Sequence, residues 1–429
     1  MSFRNKGLPS GSWYTETANP SPVLPALQGA QRAQVCVIGA GYTGLGAALE
    51  LTSKGVSVIV LEAATVGSGA SGRNGGQVHP GQRRDQAWIE QVLGQEDAKG
   101  LWQMAQDARA SLADLITRHG IDCDFKPGLI HARHRPGGKA ADLRDIEHMA
   151  KAYGYDQISM IERDQLAEDL GTDVYYGGTC DHRGGHLHPL NLALGMGRAA
   201  RAAGAEIFEH SRALGWTKTA QGMRVKTALG EVICDRLILT GDGYIDGLSS
   251  TIDAQVMPIN NFVLATAPLG ELADQIIRSD RAVADSRFVV NYFRKSPDGR
   301  LLFGGGENYS PWHPANLMTF VRRHMLKIYP KLRHQPITHA WGGALGITMT
   351  RVPFVRQITP GVVAAAGYSG QGVMLAPYFG KILAQACLGE MSGLNLLSRL
   401  PTPPFPGGRL LRWPALVAGL SWYALRDRL

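Results

Sequence analysis

Apolar residues fall along this chain in short unbroken runs, helical periods and alternating stretches, and each predicts a different element. Val35–Ile38 is an unbroken run and Val56–Leu61 is broken only by Ser57, the pattern of strands buried on both faces. Between them, Gly39–Gly46 reads as a turn and helix start, and the helix continues through Leu51 to Lys54. Strand, helix and strand in that order make a βαβ unit. From Gln82 to about Tyr153 the period is helical, with Ala- and Leu-rich stretches over Trp102–His119 and Ala140–Tyr153. The α/β pattern returns near Gly184, where Pro189 opens a helix to Ala203 and Ala205–Phe208 and Arg236–Thr240 read as strands. Met257–Gly306 is strand-rich, with Pro297, Asp298 and Gly299 supplying the turn of a hairpin. A last α/β piece runs from Gly361 through a helix after Pro377, and residues 1–33, with Pro20, Pro22 and Pro25, read as an extended arm.

Composition narrows this picture. A chain of 429 residues is longer than one core usually supports, so two domains are expected. Hydrophobic residues at 44% and charged residues at 19% describe an ordinary globular protein and exclude disorder. The formal charge of +8 is spread without a basic run, which argues against a nucleic-acid partner. Cys36, Cys123, Cys180, Cys234 and Cys387 are widely spaced and odd in number, as in a reducing compartment. No secretory pattern opens the chain, so the cytoplasm is the expected location. Trp413–Leu425 is apolar and flanked by arginines, too short to span a bilayer, and suited to a helix docked on the protein or resting on a membrane surface.

The chemistry starts at Gly39-Ala40-Gly41-Tyr42-Thr43-Gly44. A lone Gly-x-Gly-x-x-Gly says little, but this one follows an apolar strand, opens a helix, and precedes Glu62 at the spacing of the dinucleotide fingerprint. Gly39 permits the tight turn, Gly41 lets the backbone approach a pyrophosphate, and Gly44 lets the helix pack close; N–H groups of Tyr42 and Thr43 would face the phosphates. The Glu62 carboxylate would accept hydrogen bonds from ribose hydroxyls, which favours FAD or NAD over a 2′-phosphorylated cofactor. The loop at 67–81 is then too glycine-rich for a plain connector and carries Ser68, Ser71, Arg73, Asn74 and Gln77 as hydrogen-bonding groups. His182, His186 and His188 lack the carboxylate or cysteine spacing of a metal site, so no metal is expected.

The segments VCVIGAGYTGLGAALEL, GSGASGRNGGQ and AAGYSGQGVMLAPYFGKILA together resemble the D-amino-acid oxidase and sarcosine oxidase superfamily of flavoproteins. The ends, SWYTETANP and FPGGRLLRWP, resemble a branch of it that acts on γ-glutamylated diamines. The resemblance implies an α/β fold, α+β overall, with a discontinuous Rossmann-like FAD domain (34–81, 184–250 and 345–429) and a mixed-sheet substrate domain (82–183 and 251–344). It implies that Ser71, Arg73, Asn74, Gly75, Gly76 and Gln77 contact the flavin region, and that Gly367, Gly370, Gln371, Gly372 and Val373 approach the ring. Non-covalent FAD is expected, because the loop has no histidine before His79 and Cys387 lies beyond the second glycine turn. Tyr292, Trp341, Arg351 and Tyr368 are the candidates for the substrate pocket, Arg351 as a carboxylate anchor. The implied reaction is oxidation of a carbon–nitrogen bond in a small amine, with electrons passing to dioxygen or another acceptor. Two alternatives remain open: a dehydrogenase of N-substituted amino acids or opines, and a flavin-binding protein without catalysis.

Overall fold

The computed structural model describes residues 11–245, 247–308, 314 and 316–407, so Trp413–Leu425 lies outside the described residues. Two sheets organise the chain. The first runs in the order Phe354–Thr359, Val362–Ala366, Gly230–Leu239, Gly29–Ile38, Val58–Leu61, Glu206–Phe208, with the hairpin Gly215–Thr219 and Gly222–Lys226 attached to Gly230–Leu239. Gly29–Ile38 lies at its centre, parallel to Val58–Leu61 on one side and to Gly230–Leu239 on the other. All four residues of Val58–Leu61 are buried, which is why its sequence shows no alternation.

The second sheet is mixed: Ile337–Ile347, Met257–Thr266, Leu301–Asn308, Tyr292–Lys295, Ala282–Asp285, Lys126–Ala132, Gly178–His186, Gln77–Val78, with Ile158–Ile161 also on Gly178–His186. Ala282–Asp285 and Lys126–Ala132 pair in parallel, while the hairpin Tyr292–Lys295 and Leu301–Asn308 closes on a turn in which the Gly299 N–H donates to the Ser296 carbonyl. Lys126–Ala132 interrupts the region expected to be helical, between helices Gln95–Arg118 and Lys139–Tyr153.

The chain passes between the two sheets in the intervals 61–77, 186–206, 239–257 and 347–354, whereas the expected domain boundaries are 33, 81, 183, 250 and 344. The first sheet begins at Gly29, Gln77–Val78 belongs to the second sheet, and Gly178–His186 and Ile337–Ile347 both run past the expected limits. A chain leaves a sheet where its last ladder hydrogen bond ends, and composition does not mark that point. The arm is also not simply extended. Ser12 caps a helical turn, Trp13–Glu16, whose Trp13 and Tyr14 are buried in the main core because two aromatic side chains gain too much by burial to lie on the surface.

Helices Tyr42–Ser53 and Gly372–Cys387 cross with their backbones in contact. A Cβ on Gly46 would stand 2.1 Å from the Pro377 carbonyl oxygen, and one on Gly380 would stand 2.0 Å from that of Thr43. The second helix starts at Gly372, five residues earlier than expected, with Pro377 inside it. Pro377 has no N–H to give the Val373 carbonyl, and packing of this nearly all-buried helix offsets that loss.

Candidate active site

The first glycine turn is built by contacts that only glycine allows. Gly39 has φ +107°, and a Cβ on Gly44 would lie 1.9 Å from the Gly39 carbonyl oxygen. Gly41 caps the following helix with no side chain, leaving its N-terminal end open for an anion. The Tyr42 N–H donates to Ser71 Oγ (3.0 Å), and Tyr42 Oη donates to the Pro189 carbonyl (2.8 Å). Glu62 stands at the end of the second strand as predicted. Its carboxylate accepts from the Ala40 N–H (2.8 Å) and the Ala64 N–H (2.9 Å). Burial raises its pKa and those N–H groups oppose the rise, leaving lone pairs for hydroxyl donors.

The loop from 67 to 81 departs from its expected roles. Ser71 serves the first glycine turn, since its hydroxyl meets the Tyr42 N–H. Arg73 ties the loop to the second sheet by donating from Nε to the Ser68 carbonyl (2.7 Å) and from Nη1 to that of Gly342 (3.3 Å), and burial lowers its pKa. Asn74 is spent inside the loop: Nδ2 donates to the Ala70 and Ser71 carbonyls, and Oδ1 accepts from the Gly76 N–H. Gln77 Nε2 donates to the Val283 carbonyl (2.8 Å). These side chains shape the loop, so what Gly75, Gly76 and Gln77 offer a ligand is backbone. Gly76 has φ +75° and would place a Cβ 2.1 Å from the Leu187 carbonyl oxygen.

The second glycine turn lies beside the first, because Thr43 Oγ1 and Tyr368 Oη share a hydrogen bond of 2.7 Å. Asp242, absent from the sequence reading, locks it. Its Oδ1 accepts from the Gly367 N–H (2.7 Å) and its Oδ2 from the Gly346 N–H (2.8 Å), joining the end of the second sheet to the turn. Burial raises the Asp242 pKa against the pull of these donors. Asp242→Asn keeps one acceptor and faces the other N–H with an amide donor, so a stability loss of about 2 kcal/mol is expected in chemical denaturation. A loss below about 0.5 kcal/mol would mean that another group supports the turn.

Beyond Asp242, the turn presents an unfilled donor set. Gly370 has open space around its Cβ position, Gln371 caps the helix without a side-chain bond, and Gln371 Oε1 is buried with no partner. An orphaned buried acceptor beside an open helix N-terminus fits a ligand with both N–H and carbonyl groups, as the pyrimidine edge of a flavin has. The glycine cradle at 39–44 fits a pyrophosphate in the same way. Val373 is buried under this turn.

The pocket candidates separate into two groups. Trp341 is fully buried, donates from Nε1 to the Arg73 carbonyl (3.0 Å) and packs edge-on to Tyr14 at 5.1 Å, so it supports the loop and is not a pocket wall. Tyr368 is held between the glycine turns and stacks on Phe379, and is likewise no wall. Tyr292 is half-buried, lies where a Cβ on Gly75 would meet its ring at 2.5 Å, and donates from Oη to Asn261 Oδ1. Arg351 has φ +66° and rests its guanidinium 4.5 Å from the Phe288 ring centre, with no ion pair among the described residues.

Sequence reasoning missed a group of basic side chains near the second glycine turn. Arg83 Nε donates to the Ser369 carbonyl in the second glycine turn (2.8 Å), and the rings of His79 and His131 stand 5.7 Å apart. His131 is exposed and His79 half-buried, yet surrounding protein pushes His79 down to about 3 and also lowers His131, with Arg83 adding to both shifts. No local motif marks these residues, since the turn and the sheet that bring them together are far apart in sequence.

Residues 34–386 match the family described as FAD dependent oxidoreductase (DAO). The chain belongs to that family. It is 42% identical over its full length to a probable oxidoreductase, OrdL, of Rhizobium meliloti, with all of that protein covered. It is 34% identical to gamma-glutamylputrescine oxidoreductase of Escherichia coli, over 98% of this chain and 99% of that one. The crystal structure of glycine oxidase from Geobacillus kaustophilus superimposes on 85% of the chain, covering 98% of its own, with a TM-score of 0.71 at 18% identity. This DAO-family chain is therefore an FAD-dependent oxidoreductase, with the Rossmann-like α/β architecture expected from its fingerprint. Among the described residues no helix is long and apolar enough to cross a membrane.

Proposed function

We propose that this oxidoreductase deaminates a small amine bearing a carboxylate at its far end, with γ-glutamylputrescine as the first substrate to try. The observation that carries the reading is the placement of the Tyr292 ring against Gly75, with its Oη donating to Asn261 Oδ1, while Arg83 donates to the Ser369 carbonyl of the second glycine turn and Arg351 lies over Phe288. The 34% identity to gamma-glutamylputrescine oxidoreductase over nearly both whole chains supports the choice of substrate.

The first sheet and its two glycine turns would hold FAD, and the second sheet would cover the substrate. Bound FAD supplies a hydride acceptor, and water then releases a carbonyl and ammonia from the imine. The chain's own task is to bind the amine neutral and aligned. Cationic groups around an enclosed site disfavour an ammonium, so Arg83 and Arg351 would lower the pKa of the bound amine while attracting the distal carboxylate. No general base is then needed. The unbranched run between the two charges would lie along Tyr292 and Phe288.

FAD is proposed to be held without a covalent link. Cys387 is the last residue of the helix that Gly372 opens, about 22 Å away at the helical rise. His79 is turned toward His131. All five cysteines are unpaired, which supports a reducing cytoplasm.

The test is the visible spectrum of the anaerobic holoprotein before and after γ-glutamylputrescine, beside a panel of amines, amino acids and opines. Bleaching by γ-glutamylputrescine in preference to the panel supports the proposal, and bleaching by opines or N-methyl amino acids replaces it with the dehydrogenase reading. A flavin band that no amine bleaches removes the catalytic reading. Admitting air should restore the colour with one hydrogen peroxide per turnover; slow recovery with fast dye reduction would assign another acceptor. Acid precipitation should leave the yellow colour in the supernatant.

A further inference from the structure

The least expected charge in the protein sits behind the flavin loop. Arg294 is 1% exposed, in the strand Tyr292–Lys295. A guanidinium has five N–H bonds, and Arg294 has five acceptors for them. Nε donates to the Gly75 carbonyl (2.9 Å); Nη2 donates to the Leu187 carbonyl (2.9 Å) and Tyr14 Oη (3.3 Å); Nη1 donates to the Lys295 carbonyl (3.2 Å) and His186 Nδ1 (3.5 Å). Every acceptor is neutral, and among the described residues no carboxylate stands at ion-pairing distance. The hydrogen bonding is complete, but the charge has no direct counter-ion; the Asp280 carboxylate feels it only from beyond ion-pairing distance.

His186 shows the neutrality of this shell. Its Nε2 faces the Asp280 carbonyl (2.8 Å), which only an N–H can satisfy, so Nδ1 is the lone-pair nitrogen turned to Arg294. Burial first and the Arg294 charge second push His186 down to about 3 and His188 to about 4. Tyr14 closes the group from the arm: its ring lies 5.8 Å from the guanidinium and edge-on to Trp341, which in turn holds the Arg73 carbonyl. Burying an unpaired cation costs several kcal/mol that a neutral side chain of this size would avoid, so packing alone does not account for it.

We propose that Arg294 is a positioning residue for the isoalloxazine end of FAD, fixing the Gly75 carbonyl and setting a positive charge without a direct counter-ion behind the Gly75–Gln77 loop, with Tyr14 sealing it from water. The inference rests on the reading of that loop as the flavin site. It gives the N-terminal segment, which precedes the first glycine turn, a part in the cofactor site. A ring that gains negative charge on reduction is stabilised by a fixed cation that needs no reorganisation.

Sulfite is the probe, because its sulfur lone pair bonds to the oxidised ring and the ring takes the negative charge, with no oxidant needed. Arg294→Met in the holoprotein is expected to weaken sulfite binding about tenfold or more, and to lower the two-electron potential by about 30 mV for each tenfold. Arg294→Lys keeps the charge and should stay within about threefold of wild type. His186→Glu puts a carboxylate beside the guanidinium and should reproduce the loss without removing Arg294, which keeps the proposal testable if Arg294→Met does not fold. Sulfite affinity unchanged in Arg294→Met or His186→Glu would overturn the inference, as would a loss in Arg294→Lys equal to that in Arg294→Met. A wild-type protein that takes up no FAD would instead remove the flavin reading itself, before any variant is compared.

Discussion

Replacing Gly44 with alanine is expected to give a protein that binds FAD at least about a hundredfold more weakly and whose cofactor-free form unfolds roughly 3 kcal/mol more easily. The added Cβ would stand 1.9 Å from the Gly39 carbonyl oxygen and 2.9 Å from Thr240 Oγ1. Neither can yield cheaply. Thr240 Oγ1 donates to the Ile38 carbonyl at 2.8 Å, and the Gly39 N–H is held by the Leu61 carbonyl at 2.9 Å, so relief must come from moving the helix off the sheet. That movement opens the turn that would cradle the pyrophosphate. Two measurements separate the effects: FAD retention on a desalting column, and denaturant unfolding of the apoprotein. Gly370→Ala is the contrasting case. Its Cβ would meet nothing within 4 Å, and its cost is the backbone strain of φ +94°.

The second large effect is on stability in acid. His186 and His188 are held in the folded protein down to about 3 and about 4, against 6.5 when unfolded. The unfolded chain therefore binds more protons through this range, so the stability these residues contribute is present above pH 6.5 and is lost as the pH falls toward their folded values. Between pH 7 and pH 5 the two together should cost about 4 kcal/mol. Glu62 and Asp242 act in the opposite direction, because burial raises their folded pKa and their protonation favours the folded state. His79, held down to about 3, and His131, also lowered, add to the loss in the same direction, so His188→Gln, which removes one histidine's part, should flatten the slope by about a third or less. Its ring stands between Trp13 and Tyr14, accepts at Nδ1 from the Asn191 N–H and meets Thr17 Oγ1 at Nε2, so glutamine keeps one donor and one acceptor there. An unchanged slope in the variant would show that acid acts elsewhere.

The dinucleotide turn was legible because one local run of residues carries strand, glycines and helix together. Glu62 was legible by spacing alone. The pocket was not, and Trp341 shows why: a tryptophan at the end of the second sheet is equally compatible with lining a cavity and with filling the space behind it, and only the Arg73 carbonyl 3.0 Å from its Nε1 decides. Asp242 and Arg294 were invisible for a related reason. Each takes its meaning from partners more than 100 residues away, and an aspartate in a glycine-rich turn or an arginine in a hairpin looks ordinary in sequence. Ser71 is expected to contact the flavin region, and its hydroxyl meets the Tyr42 N–H at the first glycine turn, a contact that the loop's composition does not reveal.

The central strand of the first sheet has a consequence for synthesis. Gly29–Ile38 has Val58–Leu61 beside it early, but its other neighbour is Gly230–Leu239, and the turn at Gly367–Gln371 is later still. A chain emerging from the ribosome at about 5–20 residues per second therefore exposes an apolar strand edge for on the order of ten seconds before its partner exists. Free FAD offers no shelter during that interval, since half of its proposed cradle has not yet been made. Yield in the cell should then depend on chaperone capacity during translation as well as on the stability of the finished enzyme.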